Sequence, residues 1–207
     1  MNVDRAELLV AAGNAFLVGA LTERQARRAC ALKFDRHAPE LVTLLGGVDL
    51  LRVAGPERAA VRREGAWRTL VPEAAFSAGK WRVTWRESDG EQPAAPPSVE
   101  VAAEALGREL DEALAALPAA GREARVLLTA RATLRGEPSP TASPIRRLRT
   151  RLGQGPPPAP RASAIAGGEL PAAYPEPARR LFRAAIESER DTPAARAARA
   201  AALATLP

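Results

Sequence analysis

In the octapeptide Lys80-Trp81-Arg82-Val83-Thr84-Trp85-Arg86-Glu87, polar and apolar side chains alternate from Lys80 to Arg86. A period of two puts Trp81, Val83 and Trp85 on one face of a strand and Arg82, Thr84 and Arg86 on the other. Aromatic and β-branched residues suit such a pleated, half-covered surface. Upstream, Glu64-Gly65 separates 58–63 from 66–71 as the turn of a hairpin. Val48–Val53 reads as a further strand between the breakers Gly46-Gly47 and Gly55-Pro56. These segments predict a small, mostly antiparallel sheet.

Downstream, 88–98 is a polar, proline-rich connector. Ser98 opens a helix over 99–117, with Val99, Ala102, Leu106, Leu110 and Leu114 in one stripe and Pro118 as the stop. After Gly121, the segment Arg125–Arg135 alternates again. Val126, Leu128, Ala130, Ala132 and Leu134 fall on one side, and Leu127, Thr129, Arg131, Thr133 and Arg135 on the other. Read as a strand, it makes a strand–helix–strand unit compatible with a right-handed crossover. The helix then covers the apolar face, and the opposite face carries Arg82, Arg86, Arg131 and Arg135.

The run from Trp81 through the 99–117 helix into Arg125-Val126-Leu127-Leu128-Thr129-Ala130-Arg131-Ala132-Thr133-Leu134-Arg135-Gly136 resembles the capping domain of bacterial metallophosphoesterase-type DNA-repair exonucleases. That domain also has a strand, a helix of this length and an apolar strand ending in glycine, and it helps those enzymes hold DNA. The likeness spans about a quarter of the chain. It points towards DNA and carries no catalytic residue over.

At the N-terminal end, Asp4 with Glu7 and Thr22 with Gln25 are two capping patterns, each followed by a helical stripe. They predict helices over 4–20 and about 23–33, a helical hairpin whose second member is basic at Arg24, Arg27 and Arg28. A DNA-reading helix-turn-helix also begins with two short helices, but here the first is the more apolar. Beyond Gly136, 137–177 is rich in proline and reads as a linker, largely disordered alone. Within it, Ile145, Leu148 and Leu152 space a basic octet as a short amphipathic helix. A further helix is expected over 178–190, with Leu181, Phe182 and Ile186 on its apolar face, and an Ala/Arg helix follows it. The expectation is thus an α+β (or α/β) protein. It comprises a small domain over 1–136, a basic linker over 137–177 and a C-terminal helical segment over 178–207.

Scarce residues limit the chemistry. The 207 residues include one cysteine, Cys30, and one histidine, His37. This excludes an internal disulfide, a Cys/His zinc cluster and a histidine-rich dinuclear centre. Asp35, His37 and Glu40 could at most supply one mononuclear site, and His37 reads more simply as a loop residue. Cys30 and His37 are too far apart along a helix to form a dyad. Ser77-Ala78-Gly79-Lys80 matches S-x-x-K without the companion motifs of penicillin-recognising enzymes. No G-x-G-x-x-G or P-loop occurs. The expectation is a protein without cofactor, metal or catalytic residues. The apolar run Leu8–Leu21, broken by Asn14, is too short for a bilayer span, so a cytoplasmic location is expected.

Charge is the most informative quantity. Lys+Arg number 30 against 24 Asp+Glu, a net +6, and all but two of the basic residues are arginine. Between Gly121 and Arg161 stand nine arginines and two glutamates, a local +7, so the remainder sums to −1. Concentrated arginine suits phosphate, through counterion release and a planar donor fork. The sequence therefore predicts a non-enzymatic accessory or adaptor protein. Arg82, Arg86, Arg131, Arg135, Arg146, Arg147, Arg149 and Arg151 would contact DNA, RNA or another anionic partner, and Leu181, Phe182 and Ile186 would hold a protein partner. The alternative is a structural subunit of an assembly, anchored by its C-terminal helix, whose arginines only solubilise it. Oligomeric state is left open.

Overall fold

A computed structural model describes residues 4–31, 41–77, 80–138, 140, 165 and 168–206. Helix α1 (Arg5–Leu17) begins where Asp4 Oδ1 accepts from the Ala6 N–H at 2.7 Å. The other Asp4 oxygen accepts from the Glu57 N–H at 2.5 Å, fixing the helix start to the first sheet turn. Every residue from Ala6 to Ala15 is buried, so α1 is a central helix rather than an amphipathic one. Helix α2 (Glu23–Ala31) is capped reciprocally, with the Thr22 N–H donating to Gln25 Oε1 and the Gln25 N–H to Thr22 Oγ1. The two helices form the expected hairpin, and a one-turn α3 (Leu41–Leu44) leads into the sheet.

The sheet is a four-stranded antiparallel meander in the order β1 (Val48–Gly55), β2 (Arg58–Arg63), β3 (Ala66–Ser77), β4 (Lys80–Asp89). Glu64 and Gly65 both have positive φ (51° and 81°), the mirror-image turn that matches strand twist. β3 runs six residues past the expected end at Val71. Its pairing with β4 extends from Arg68↔Asp89 to Ser77↔Lys80, whereas its pairing with β2 stops at Leu70. Pro72 is therefore tolerated where β3 has one neighbour instead of two.

Register sorts the side chains. Leu51, Ala59, Val61 and Leu70 share the face packed on α1 and are buried. Asn14 closes the outer margin of β1: its amide donates to the Leu51 C=O at 3.0 Å and accepts from the Leu51 N–H at 3.1 Å. Gly13 permits that approach, since a Cβ there would lie 2.9 Å from Leu51 Cδ2.

Four longer helices follow among the described residues. They are α4 (Val99–Ala115), α5 (Arg122–Arg135), α6 (Glu176–Glu187) and α7 (Pro193–Leu203). α4 starts at Ser98 as expected, its hydroxyl accepting from the Val101 N–H. It packs on α5, α6 and α7, and α1, not α4, is the helix that covers the sheet. The expected strand Arg125–Arg135 is helical, which removes the crossover and the sheet on which the exonuclease likeness rested. Alanine and leucine satisfy both periods there. Ala124, Leu127, Ala130 and Ala132 are the buried residues, and Gly136, left-handed at φ 71°, ends the helix. α6 and α7 share one core with α1, and that core runs from Ala6 to Leu206. Ile165, Leu170 and Tyr174, from the end of the expected linker, also belong to it.

Candidate nucleic-acid interface

The sheet face turned away from α1 is built by alternation. Counting by register from Ala60 and Thr69, it carries Arg52 on β1, Arg58 and Arg62 on β2, Trp67, Thr69 and Glu73 on β3, and Lys80, Arg82, Thr84 and Arg86 on β4. Arg58, Glu73, Thr84, Arg86 and Ser88 are exposed. With Asp49, which bonds to Arg62, the described side chains of this face are four arginines and two carboxylates, and the register assigns Lys80 and Arg82 to the same face.

Its electrostatics combine pairing and stacking. Arg62 Nε donates to both Asp49 oxygens at 2.9 and 3.1 Å, and this hydrogen bond holds the Asp49 carboxyl below the usual range. Arg86 pairs with Glu73 at 3.0 Å. Both pairs lie in solvent, where water screens them and holding two long side chains in one geometry offsets much of the attraction. The Arg52 guanidinium stands over the Trp67 ring, 5.7 Å from its centroid. Trp67 is half-buried, opposite Arg62.

The residues expected to bind anions divide. Arg86 lies on this face, and the register puts Arg82 there too, although its side chain lies outside the described set. Arg131 and Arg135 do not join them. Both are on α5, and both pair with Asp111 of α4, at 2.8 and 3.4 Å. The single arginine-bearing face made of all four thus gives way to two separate surfaces, because α5 never enters the sheet. Arg146, Arg147, Arg149 and Arg151 lie outside the described residues.

Leu181, Phe182 and Ile186, expected as a partner's anchor, are 1%, 0% and 3% exposed within the chain's own core. The apolar stripe is real, but α4, α5 and α7 already cover it. The sequence admits Trp67, Trp81 and Trp85 either as an aromatic recognition surface or, the preferred reading, as core anchors; Trp67 is instead half-buried on the outer face. The signal was available in Trp67-Arg68-Thr69-Leu70, since a strand that buries Leu70 turns Trp67 outward.

Two groups with reactive side chains are accounted for structurally. Burial pushes the Cys30 thiol up to about 12, so it stays protonated. Ser77 and Lys80 oppose each other across β3 and β4 instead of lying one helical turn apart. His37 and its neighbours lie outside the described residues. Among the described residues no three His, Cys, Asp or Glu side chains are grouped to hold a metal, and no helix is long and apolar enough to cross a membrane. The chain matches no family model, no curated protein and no solved structure.

Proposed function

We propose that this protein is a non-enzymatic accessory or adaptor that contacts nucleic acid through its outer sheet face. The observation that carries the reading is that face itself, with four described arginines against two carboxylates and α1 packed on the other side of β1, β2 and β3. The sequence adds a second basic element. Residues 141–164 contain five arginines and no acidic residue, a charge of +5, which leaves +1 for the rest of the chain. A near-neutral body with one open cationic face and one cationic segment suits a polyanion, because each neutralised phosphate releases counterions. A protein partner completes the adaptor role, and it would have to dock elsewhere than on Leu181, Phe182 and Ile186.

The test is a salt titration of full-length protein against nucleic acid. Affinity should fall steeply with salt. Changing Arg146, Arg147, Arg149 and Arg151 together to alanine should lower the log–log slope by about 3 to 4, at roughly 0.7–0.9 for each phosphate no longer neutralised. Arg58→Ala with Arg86→Ala should lower it by about 1 to 2 more. An affinity indifferent to salt and to all six substitutions would remove the reading.

A further inference from the structure

We infer that the outer sheet face takes single-stranded nucleic acid, with the indole of Trp67 as the surface on which an unpaired base stacks. The inference rests on the nucleic-acid reading above and specifies the form of the ligand. Its first ground is where the chain puts its large rings. Phe182 and Tyr174 are fully buried, and Trp85 lies on the inner face against the core. Trp67 alone among the described tryptophan, tyrosine and phenylalanine side chains whose burial is defined is placed by register among cations on the outer face. A surface meant only for phosphate has no need of an aromatic ring, whereas single-strand binders combine a cationic track with rings that accept bases face-on.

The second ground is preorganisation. Arg52 lies over the ring, and Arg62, directly opposite Trp67 on β2, is held by both Asp49 oxygens. A base that takes the place of the Arg52 guanidinium over the ring keeps its phosphate within reach of Arg62 and the displaced Arg52, since neighbouring strands are about 4.8 Å apart. The guanidinium plane of Arg52 is itself a stacking surface for a second base. A duplex hides its base faces inside the helix and could use the cations of this surface but not the ring. The 121–161 segment contains no aromatic residue, so a stacking contribution has to come from the folded body.

The experiment compares full-length wild type, Trp67→Leu and Trp67→Phe for binding to a labelled oligothymidine and to a mixed-sequence duplex at low salt. Wild type should bind the oligothymidine more tightly than the duplex. Trp67→Leu should weaken oligothymidine binding about 5- to 100-fold, and Trp67→Phe by less, while duplex binding changes less than about twofold. Oligothymidine should also quench the tryptophan emission of wild type, and Trp67→Phe should lose that quench although Trp81 and Trp85 remain. This second readout holds if the leucine variant fails to fold. Equal affinity for the two ligands in wild type, or a quench and affinity unchanged in both variants, overturns the inference while leaving nucleic-acid binding intact. Failure of wild type to bind either ligand overturns it together with the functional reading beneath it.

Discussion

Asn14 is 3% exposed in the middle of an apolar helix, and in the sequence it registers only as an interruption. Its two hydrogen bonds to Leu51 give it the job of a strand neighbour. Asn14→Ala would leave a buried N–H and C=O without partners, so unfolding free energy should drop by about 2–4 kcal/mol in denaturant titrations. A change below about 0.5 kcal/mol would mean that water replaces the amide. Glu7 is the other buried polar residue of α1, bonded to Arg199 at 2.6–2.7 Å, with Asp191 on the far side of that guanidinium at 3.6 Å. Burial outweighs the pull of Arg199 and raises the Glu7 carboxyl to about 7, with Asp4 and Asp191 adding to the rise. The folded state therefore holds this proton more tightly than the unfolded chain. The stabilisation is complete below about pH 4.5 and is lost as pH rises through 7. Glu7→Gln should flatten that part of the stability–pH curve, as read by unfolding between pH 5 and 8. A curve identical to wild type would sink the assignment.

At the level of elements, the strands and caps were legible because their signals are local and have one meaning. The Trp81–Arg86 alternation, the Glu64-Gly65 turn and the Thr22/Gln25 box each appear where the sequence puts them. α5 was misread because Ala130, Ala132 and Leu134 count as apolar under either period. The good helix formers Arg, Ala and Leu, with glycine at both ends, outweigh the alternation. The site was half legible. Alternation assigns Arg82 and Arg86 to one face by register, but Arg131 and Arg135 followed the misread strand, and only the register brings Arg52, Arg58, Arg62 and Trp67 to the same side. Gly136 carries a testable consequence of the helical assignment. Its positive φ suits glycine, and a Cβ there would run into the Arg180 guanidinium. Gly136→Ala should lower the thermal midpoint by several degrees, equivalent to about 1–2 kcal/mol, and a neutral result would mean that α5 can end differently.

For the whole molecule, the decisive fact is that first and last helices touch. Arg199 of α7 meets Glu7 of α1 across 192 residues of chain, and the Tyr174 hydroxyl donates to the Ala11 C=O at 3.4 Å. Removing 176–206 should therefore expose α1 and α4 and abolish the cooperative melt of what remains, in circular dichroism and in dye binding. A truncated chain melting like wild type would show that the part before 176 stands alone. The clamp of Asn14 on β1 reaches beyond stability, to how copies of this molecule can add to one another. Strand addition at the middle of β1 would have to break both Asn14 bonds to Leu51, whereas among the described residues β4 and the 71–77 part of β3 each keep an open edge, so a second copy would add there sooner than along β1.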